Sequence, residues 1–413
     1  MLKKIPVEDL RLGMHLHELC GSWLDHPFWK TRFVLADAAE LKKVQTCGVK
    51  EAWIDVSKGR DVDAPRAEAA PATDPAPAAV APVAAAPTAR QSIDDELQRA
   101  AGLVNAARSA VSSLFSEARM GKALDAEKCR PLVDEIASSV WRNPGAIVSL
   151  ARLKTHDDYT YMHSMAVCAL MVSLARQLGM DEAQAREAGI AGLLHDMGKA
   201  MMPLAVLNKP GKLTDAEFDV MKTHPQRGFD LLQEGRGVGP LVLDVCLHHH
   251  ERPDGKGYPD GLAGDALSRV ARMGAVCDVY DAITSNRPYK NGWDPAESIA
   301  QMASWVQNQQ FDGQIFQAFV KSLGIYPIGS LVRMRSGRLA VVVEQNERSL
   351  TAPRVKVFFS TRSNMPIRPE LIDLSSSLCQ DAIAGRESNR HWHFPHLDEL
   401  WAGAETLRKI GRG

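Results

Sequence analysis

Residues 188–199, AGIAGLLHDMGK, place a histidine and an aspartate directly after a run of small and apolar residues. The run favours a buried helix, so the side chains of His195 and Asp196 should leave one helical turn toward the same cavity. A second helical segment, residues 159–175, carries His163 on an otherwise largely apolar stretch. These two segments predict a mainly helical core with polar groups directed inward.

Further groups with metal-ligand chemistry follow along the chain. Asp278 lies in a third apolar segment, residues 270–285, and more histidines occur in MKTHP (221–225) and HHHERPDGKGYP (248–259). A buried carboxylate without a partner is strongly disfavoured, so Asp278 calls for a metal ion or another cation. Neutral imidazole and ionised carboxylate suit borderline divalent metals, and one carboxylate can bridge two ions.

A single histidine is more often a core or surface residue than a ligand. We expect that ordinary role for the remaining histidines: His15, His17, His26, His156, His391, His393 and His396. Several candidate ligands in one ordered helical stretch are different, because coincidence explains them poorly.

Composition restricts the class of protein. The 413 residues allow two or more domains, and 49 Lys and Arg against 50 Asp and Glu give no surface that would attract a nucleic acid polymer. The seven cysteines are scattered without a C-x-x-C pair, which is typical of reduced thiols in the cytoplasm. The longest apolar stretch, residues 166–174, is too short to cross a membrane. A soluble cytoplasmic protein is therefore expected.

The pattern of residues divides the chain into four parts. Residues 1–60 read as a small α/β module, and residues 61–90 as a flexible linker rich in alanine and proline. Residues 91–325 carry helical periodicity, starting after a capping Ser92. Residues 326–413 form a β-rich extension with two strands joined at Ser336-Gly337, a third at 353–360, and one short helix in the tail.

The motifs HDMGK and HHERPDGKGYP resemble the HD-GYP family, a branch of the HD superfamily of metal-dependent phosphohydrolases. Matching segments extend from about residue 158 to residue 319, and residues 1–60 resemble a small module that often precedes this domain. The resemblance implies an HD-type helical bundle that hydrolyses the bacterial messenger cyclic di-GMP to pGpG and then to GMP. Such an enzyme lowers the messenger level that controls biofilm formation, motility and virulence.

The resemblance also implies the metal ligands, position by position. They are His163, His195, Asp196, His224, His249, His250 and Asp278. His248 is expected to be a neighbour and not a ligand. Some family members hold a third ion through a glutamate where this chain has Tyr159, so we expect two divalent ions, iron or manganese, that share a bridging hydroxide.

Other family roles fall on residues around the ligands. Lys199 is expected to neutralise charge on the phosphoryl group or to supply a proton. The resemblance assigns substrate phosphates to Arg287 and Lys290, and Glu251 is expected to support the ligand histidines.

The loop DGKGYPDG, residues 254–261, predicts a tight, exposed turn. In the family it is linked to substrate access and to contacts with diguanylate cyclase (GGDEF) domains. Gly257, Tyr258 and Pro259 are the candidates for such a surface here, although a purely structural role for the loop is equally open.

Two other functions compete with this interpretation. A catalytically silent receptor would bind cyclic di-GMP and signal through its flanking parts, but the complete ligand set argues against it. An HD-type enzyme could instead act on another phosphoester, such as a nucleotide monophosphate or a related cyclic dinucleotide.

Overall fold

The computed structural model describes residues 2–20, 33–35, 37–45, 50–60, 91–154, 159–285 and 292–411. The chain divides into two compact units, Met1–Ala86 and Pro87–Gly413. The predicted linker, residues 61–90, lies outside the described residues, as do the SWLDHPF segment and the histidines at positions 26 and 156.

The first unit is a small antiparallel sheet with one helix. Its elements are β1 (Leu2–Pro6), β2 (His15–Cys20), β3 (Phe33–Val34), α1 (Ala38–Gln45) and β4 (Glu51–Asp55). The strand order is β1-β4-β2-β3, so the last strand of the unit lies in the interior of the sheet. Ile5, Leu16, Val44 and Ile54 are buried between the sheet and the helix. The predicted α/β module is confirmed.

The second unit begins with a long series of helices. They are α2 (Ile93–Arg119), α3 (Arg130–Arg142), α4 (Pro144–Ala151), α5 (Tyr159–Gln177), α6 (Glu182–Leu194), α7 (Leu204–Leu207), α8 (Asp215–Met221), α9 (His224–Gln233), α10 (Pro240–His248), α11 (Arg269–Thr284), α12 (Pro295–Gln307) and α13 (Gly313–Leu323). Ser92 caps α2 as expected, because its side chain accepts a hydrogen bond from the backbone N–H of Asp95. The mainly helical fold class is confirmed.

Small residues determine how closely the two central helices approach. α6 packs against α5, and a Cβ atom at Gly192 would lie 2.9 Å from the carbonyl oxygen of Val167. At Gly189 a Cβ atom would lie 2.7 Å from the side chain of Val172. Glycine therefore allows the close contact that brings the end of α6 next to the start of α5.

The chain ends in a five-stranded antiparallel sheet followed by short helices. The elements are β5 (Leu331–Met334), β6 (Arg338–Glu344), β7 (Arg354–Ser360), β8 (Met365–Asp373), β9 (Ile383–Arg386), α14 (Asn389–Trp392), α15 (Leu397–Ala402) and α16 (Ala404–Lys409). The order is β8-β7-β6-β5-β9. The tail helix α16 packs on α2, where Gln98 Nε2 lies 2.7 Å from Thr406 Oγ1.

The three predicted strands of this extension are confirmed, but two strands were missed. β8 contains Pro366 and Pro369, which argue against a strand in the interior of a sheet; β8 is an edge strand with mostly exposed residues, where proline is tolerated. The prediction of a single helix in the tail is wrong, because the tail contains three short helices. Among the described residues, no helix is both long enough and apolar enough to cross a membrane.

Candidate metal centre

The structure brings four of the predicted ligands together at the start of α5, the end of α6 and the middle of α11. Nε2 of His163 lies 3.0 Å from Asp278 Oδ1 and 3.3 Å from Asp196 Oδ2. Nε2 of His195 lies 3.4 Å from the same oxygen of Asp196. All four side chains are buried, so bulk water has little access to their donor atoms.

The three other predicted ligands form a second group on the opposite side of Asp196. Nε2 of His224 lies 3.2 Å from Asp196 Oδ1 and 3.3 Å from Nε2 of His249. The ring of His250 lies beside both of these imidazoles. Asp196 thus offers one oxygen to each group, which is the position of a carboxylate that bridges two ions.

Backbone carbonyls fix the tautomers of three of these histidines. Nδ1 of His195 lies 2.8 Å from Gly192 O, Nδ1 of His224 lies 2.8 Å from Met221 O, and Nδ1 of His249 lies 3.0 Å from Cys246 O. A carbonyl oxygen only accepts, so each Nδ1 carries the proton and each Nε2 keeps a lone pair for the cavity. This is the arrangement in which imidazole binds a metal.

Two buried atoms at the centre lack hydrogen-bond partners among the described residues. They are Nε2 of His195 and Oδ1 of Asp196. A buried acceptor that receives no hydrogen bond is costly, and bound divalent cations would compensate both atoms. The residues therefore fit a metal, and the donor set of nitrogen and oxygen is that of a borderline divalent ion.

The protonation states favour the same interpretation. Burial lowers the pKa of His195 and of His249, and it lowers the pKa of His250 to about 3, so these rings are neutral at pH 7. Burial alone would raise the pKa of Asp196, but the positive charge of Lys199 and a hydrogen bond from His163 hold that pKa well below its usual range. Neutral imidazoles around an ionised carboxylate are the forms that bind metal.

His163 shows how strongly the carboxylates attract positive charge. Burial by itself lowers the pKa of His163, but hydrogen bonds to Asp196, Asp278 and Asp281 together raise it to about 10. Without a metal, this ring therefore holds a proton between the carboxylates. A metal ion would take over the role of that proton, so metal binding should release it.

Asp281 and Lys154 complete the support of His163, and the sequence did not predict their roles. Asp281 Oδ2 lies 2.6 Å from His163 Nδ1 and also accepts a hydrogen bond from Lys154 Nζ. Both side chains are buried. The position of Asp281, one helical turn after Asp278 on an apolar helix, was the available signal; nothing marked Lys154 as a partner.

Asp281→Asn should weaken metal binding about 10- to 100-fold, because an amide orients the His163 ring without the charge that increases its basicity. A titration with manganese in competition with a chelator measures the change. The matched control is Asp219→Asn, since Asp219 is an exposed acid that pairs with the surface lysine Lys222. Equal manganese affinity in wild type and Asp281→Asn would show that Asp281 does not support the site.

The cavity opens to solvent on one side only among its described walls. The side chains of the candidate ligand His250 and of Lys199 are 22% and 23% exposed. Those of the other candidate ligands are at most 8% exposed. Lys199 lies in a 3₁₀ turn (Met197–Met201), and its Nζ is 2.5 Å from Asp196 Oδ2. A substrate must therefore approach past His250 and Lys199.

The loop 254–261 lies beside these residues, and its own residues are exposed or partly exposed, as expected. The ring of Tyr258 lies 4.8 Å from the ring of His250. At Gly257 a Cβ atom would lie 2.4 Å from the Cα atom of Glu251, so only glycine fits. Glu251 Oε1 accepts hydrogen bonds from the loop backbone at Asp260 and Gly261, at 2.6 and 2.9 Å. The described hydrogen bonds of the Glu251 side chain therefore hold the loop. They do not reach the ligand histidines, although we expected Glu251 to support those residues.

The remaining residues that the sequence singled out either make contacts outside the ligand groups or are not described. His248 is not among the groups of potential ligands, since its Nδ1 lies 2.7 Å from Asp244 Oδ1. That hydrogen bond raises the pKa of His248. Arg287 and Lys290 lie outside the described residues, and the side chain of Tyr159 is not described. The described histidines that were assigned ordinary roles are absent from the ligand groups found in the described chain.

Comparisons with known proteins agree with this centre. The model of the HD domain matches residues 143–315, and a domain of unknown function, DUF3391, matches residues 2–129. The chain is 56% identical to the cyclic di-GMP phosphodiesterase PA4108 of Pseudomonas aeruginosa, over 98% of this chain and 96% of that protein.

Two more distant relatives match part of the chain. The cyclic di-GMP phosphodiesterase response regulator RpfG of Xanthomonas campestris is 44% identical over 36% of this chain and 39% of its own length. The 3'3'-cGAMP-specific phosphodiesterase 1 of Vibrio cholerae is 34% identical over 43% of this chain and 42% of its own length. Together with the near-complete match to the Pseudomonas protein, these findings show that the chain belongs to the HD-GYP family of cyclic di-GMP phosphodiesterases.

Proposed function

We propose that this protein is a metal-dependent phosphodiesterase that hydrolyses cyclic di-GMP to pGpG and then to GMP. The proposal rests mainly on the position of Asp196, whose two carboxylate oxygens each face one of the two groups of candidate ligands. Similarity to the Pseudomonas enzyme along almost the whole chain supports the substrate. We assign the activity to residues 91–325, which contain all the candidate ligands, and place the enzyme in the cytoplasm, where its free cysteines stay reduced.

Two metal ions, iron or manganese, fit the two groups. His163, His195 and Asp278 would hold one ion, and His224, His249 and His250 the other, with Asp196 shared between them. When bound, such ions neutralise charge on the phosphodiester and lower the pKa of water, which supplies the nucleophile. The protein holds the ligands neutral or ionised as required and excludes bulk water from the centre.

Lys199 faces the opening, where the scissile phosphate would lie. Its ammonium group can neutralise charge that develops on the phosphoryl oxygens or donate a proton to the leaving oxygen. Lys199→Ala should keep the metals and lower kcat about 10²-fold. Steady-state kinetics together with metal analysis by mass spectrometry measure both quantities.

Lys222→Ala is the matched control, because Lys222 is a surface lysine that pairs with Asp219. It should leave kcat and metal content unchanged. Loss of metal from Lys199→Ala would instead assign Lys199 a structural role in holding Asp196.

We further propose that Arg287 and Lys290 bind substrate phosphates, as the family resemblance implies. The loop that carries Gly257, Tyr258 and Pro259 is proposed to control access, and its outer surface to contact GGDEF-domain proteins. The position of Tyr258 next to His250 supports the access role.

The substrate is tested by a panel of phosphoesters. The metal-loaded protein is incubated separately with cyclic di-GMP, 3'3'-cGAMP and GMP, and kcat/KM is compared after chromatography of the products. We expect the highest kcat/KM for cyclic di-GMP. A higher value for 3'3'-cGAMP would favour the second candidate, which the Vibrio relative supports. Tight binding of cyclic di-GMP without turnover would favour the receptor.

A further inference from the structure

A hydrogen-bonded network outside the ligand groups joins the end of α10, the 254–261 loop and the start of α11. Nδ1 of His248 lies 2.7 Å from Asp244 Oδ1, and its Nε2 lies 3.3 Å from Asp260 Oδ2. Ser268 Oγ donates a hydrogen bond to the other oxygen of Asp244 and accepts one from the backbone N–H of Ala271, where α11 begins. His248 is thus fixed from the helical side and reaches toward the loop.

Asp260 is held at both its backbone and its side chain. Its N–H donates to Glu251 Oε1 at 2.6 Å, and its carboxylate faces His248. Glu251 is buried, at 2% exposure, whereas the side chain of Asp260 is 52% exposed. The contact with His248 is therefore the outer attachment of the loop, and the contact with Glu251 the inner one.

The position of this loop matters for the metal centre. The backbone N–H of Tyr258 donates to His250 O at 3.3 Å, and the two rings lie 4.8 Å apart. His250 is one of the two partly exposed residues at the opening of the cavity. A shift of the loop would therefore change the wall that a substrate meets first, without moving the buried ligands.

We propose that His248 is a positioning residue: through Asp260 it holds Tyr258 against His250 and so shapes the entrance for the substrate. The inference rests on the proposed function. His248 is not itself a ligand, because both of its nitrogens face carboxylates that are outside the ligand groups. It acts on substrate binding, whereas its neighbours His249 and His250 act on the metal.

The test uses His248→Ala, Asp260→Ala and the double variant in the full chain. Each single variant should raise KM for cyclic di-GMP about tenfold, the effect of losing one hydrogen bond to a charged group. The values of kcat and metal content should stay close to wild type, because the contact does not involve the reacting atoms. The KM of the double variant should be close to that of His248→Ala, since each single variant already removes the contact between His248 and Asp260.

Hydrogen exchange of residues 252–264 gives a readout that does not depend on activity. Amide exchange there should accelerate in both single variants and remain unchanged in Asp265→Asn, a control at a fully exposed acid near the loop. If wild type does not hydrolyse cyclic di-GMP, the proposed function fails and the exchange data alone decide the role of His248. Unchanged exchange, an unchanged KM, additive effects or loss of metal from His248→Ala would each overturn the inference.

Discussion

Asp196→Ala should abolish both metal binding and turnover. Asp196 is the candidate ligand whose two oxygens face the two groups, so its removal would deprive both proposed ions of a shared anionic ligand. Metal ions supply several kcal/mol of transition-state stabilisation, so we expect kcat to fall ~10³-fold or more. Mass spectrometry of metals and a hydrolysis assay on the same preparation measure the two losses together.

The control for Asp196→Ala is Asp219→Ala, which removes an exposed acid outside the centre. This variant should bind and turn over like wild type. Full activity of Asp196→Ala would contradict the bridging role. Full metal content without activity would show that Asp196 acts in the chemical step and is not needed to bind the metals.

Gly198→Ala should destabilise the helical domain and remove His224 from the metal centre. A Cβ atom at this position would lie 1.9 Å from the carbonyl oxygen of His224 and 2.6 Å from the backbone nitrogen of Gly228. Neither backbone atom can move without displacing α9, so the cost is that of a severe overpacking. We expect Tm to fall by about 5–10 °C, together with loss of metal from the group that contains His224.

Gly102→Ala is the matched control for this substitution. Gly102 lies on α2, and a Cβ atom there would meet nothing within 4 Å among the described residues outside the backbone of its own helix. Replacing glycine by alanine in an exposed helix stabilises it by up to about 1 kcal/mol, so Tm should stay the same or rise slightly. A Gly198→Ala protein with normal Tm and normal metal content would show that α9 can be displaced without harm.

The convergence of the candidate ligands could be anticipated from the sequence because these residues carry a local signal. His195 and Asp196 follow a run of small residues, and those glycines are the ones that let α6 approach α5. Acids and histidines on apolar helices must find a partner, so the pattern itself indicated convergence. Helical periodicity also predicted the mainly α fold class, which the structure confirms.

The parts that were missed depend on contacts between distant residues. Lys154 and Asp281 form a hydrogen bond although they are 127 residues apart in the sequence, and the periodicity of a sequence does not indicate such a pair. The role of Glu251 was predicted for the wrong partner, because a carboxylate next to ligand histidines can equally bind loop N–H groups. β8 was missed because it contains two prolines, which are tolerated in an edge strand but argue against a strand in the interior of a sheet.

The most direct test of the central claim is hydrolysis of cyclic di-GMP by the purified protein, loaded with manganese or ferrous iron without oxygen. Products are separated by chromatography, and the metal content of the same sample is determined. We predict two ions per chain and the appearance of pGpG followed by GMP. A protein with both sites filled that leaves cyclic di-GMP intact would contradict the account.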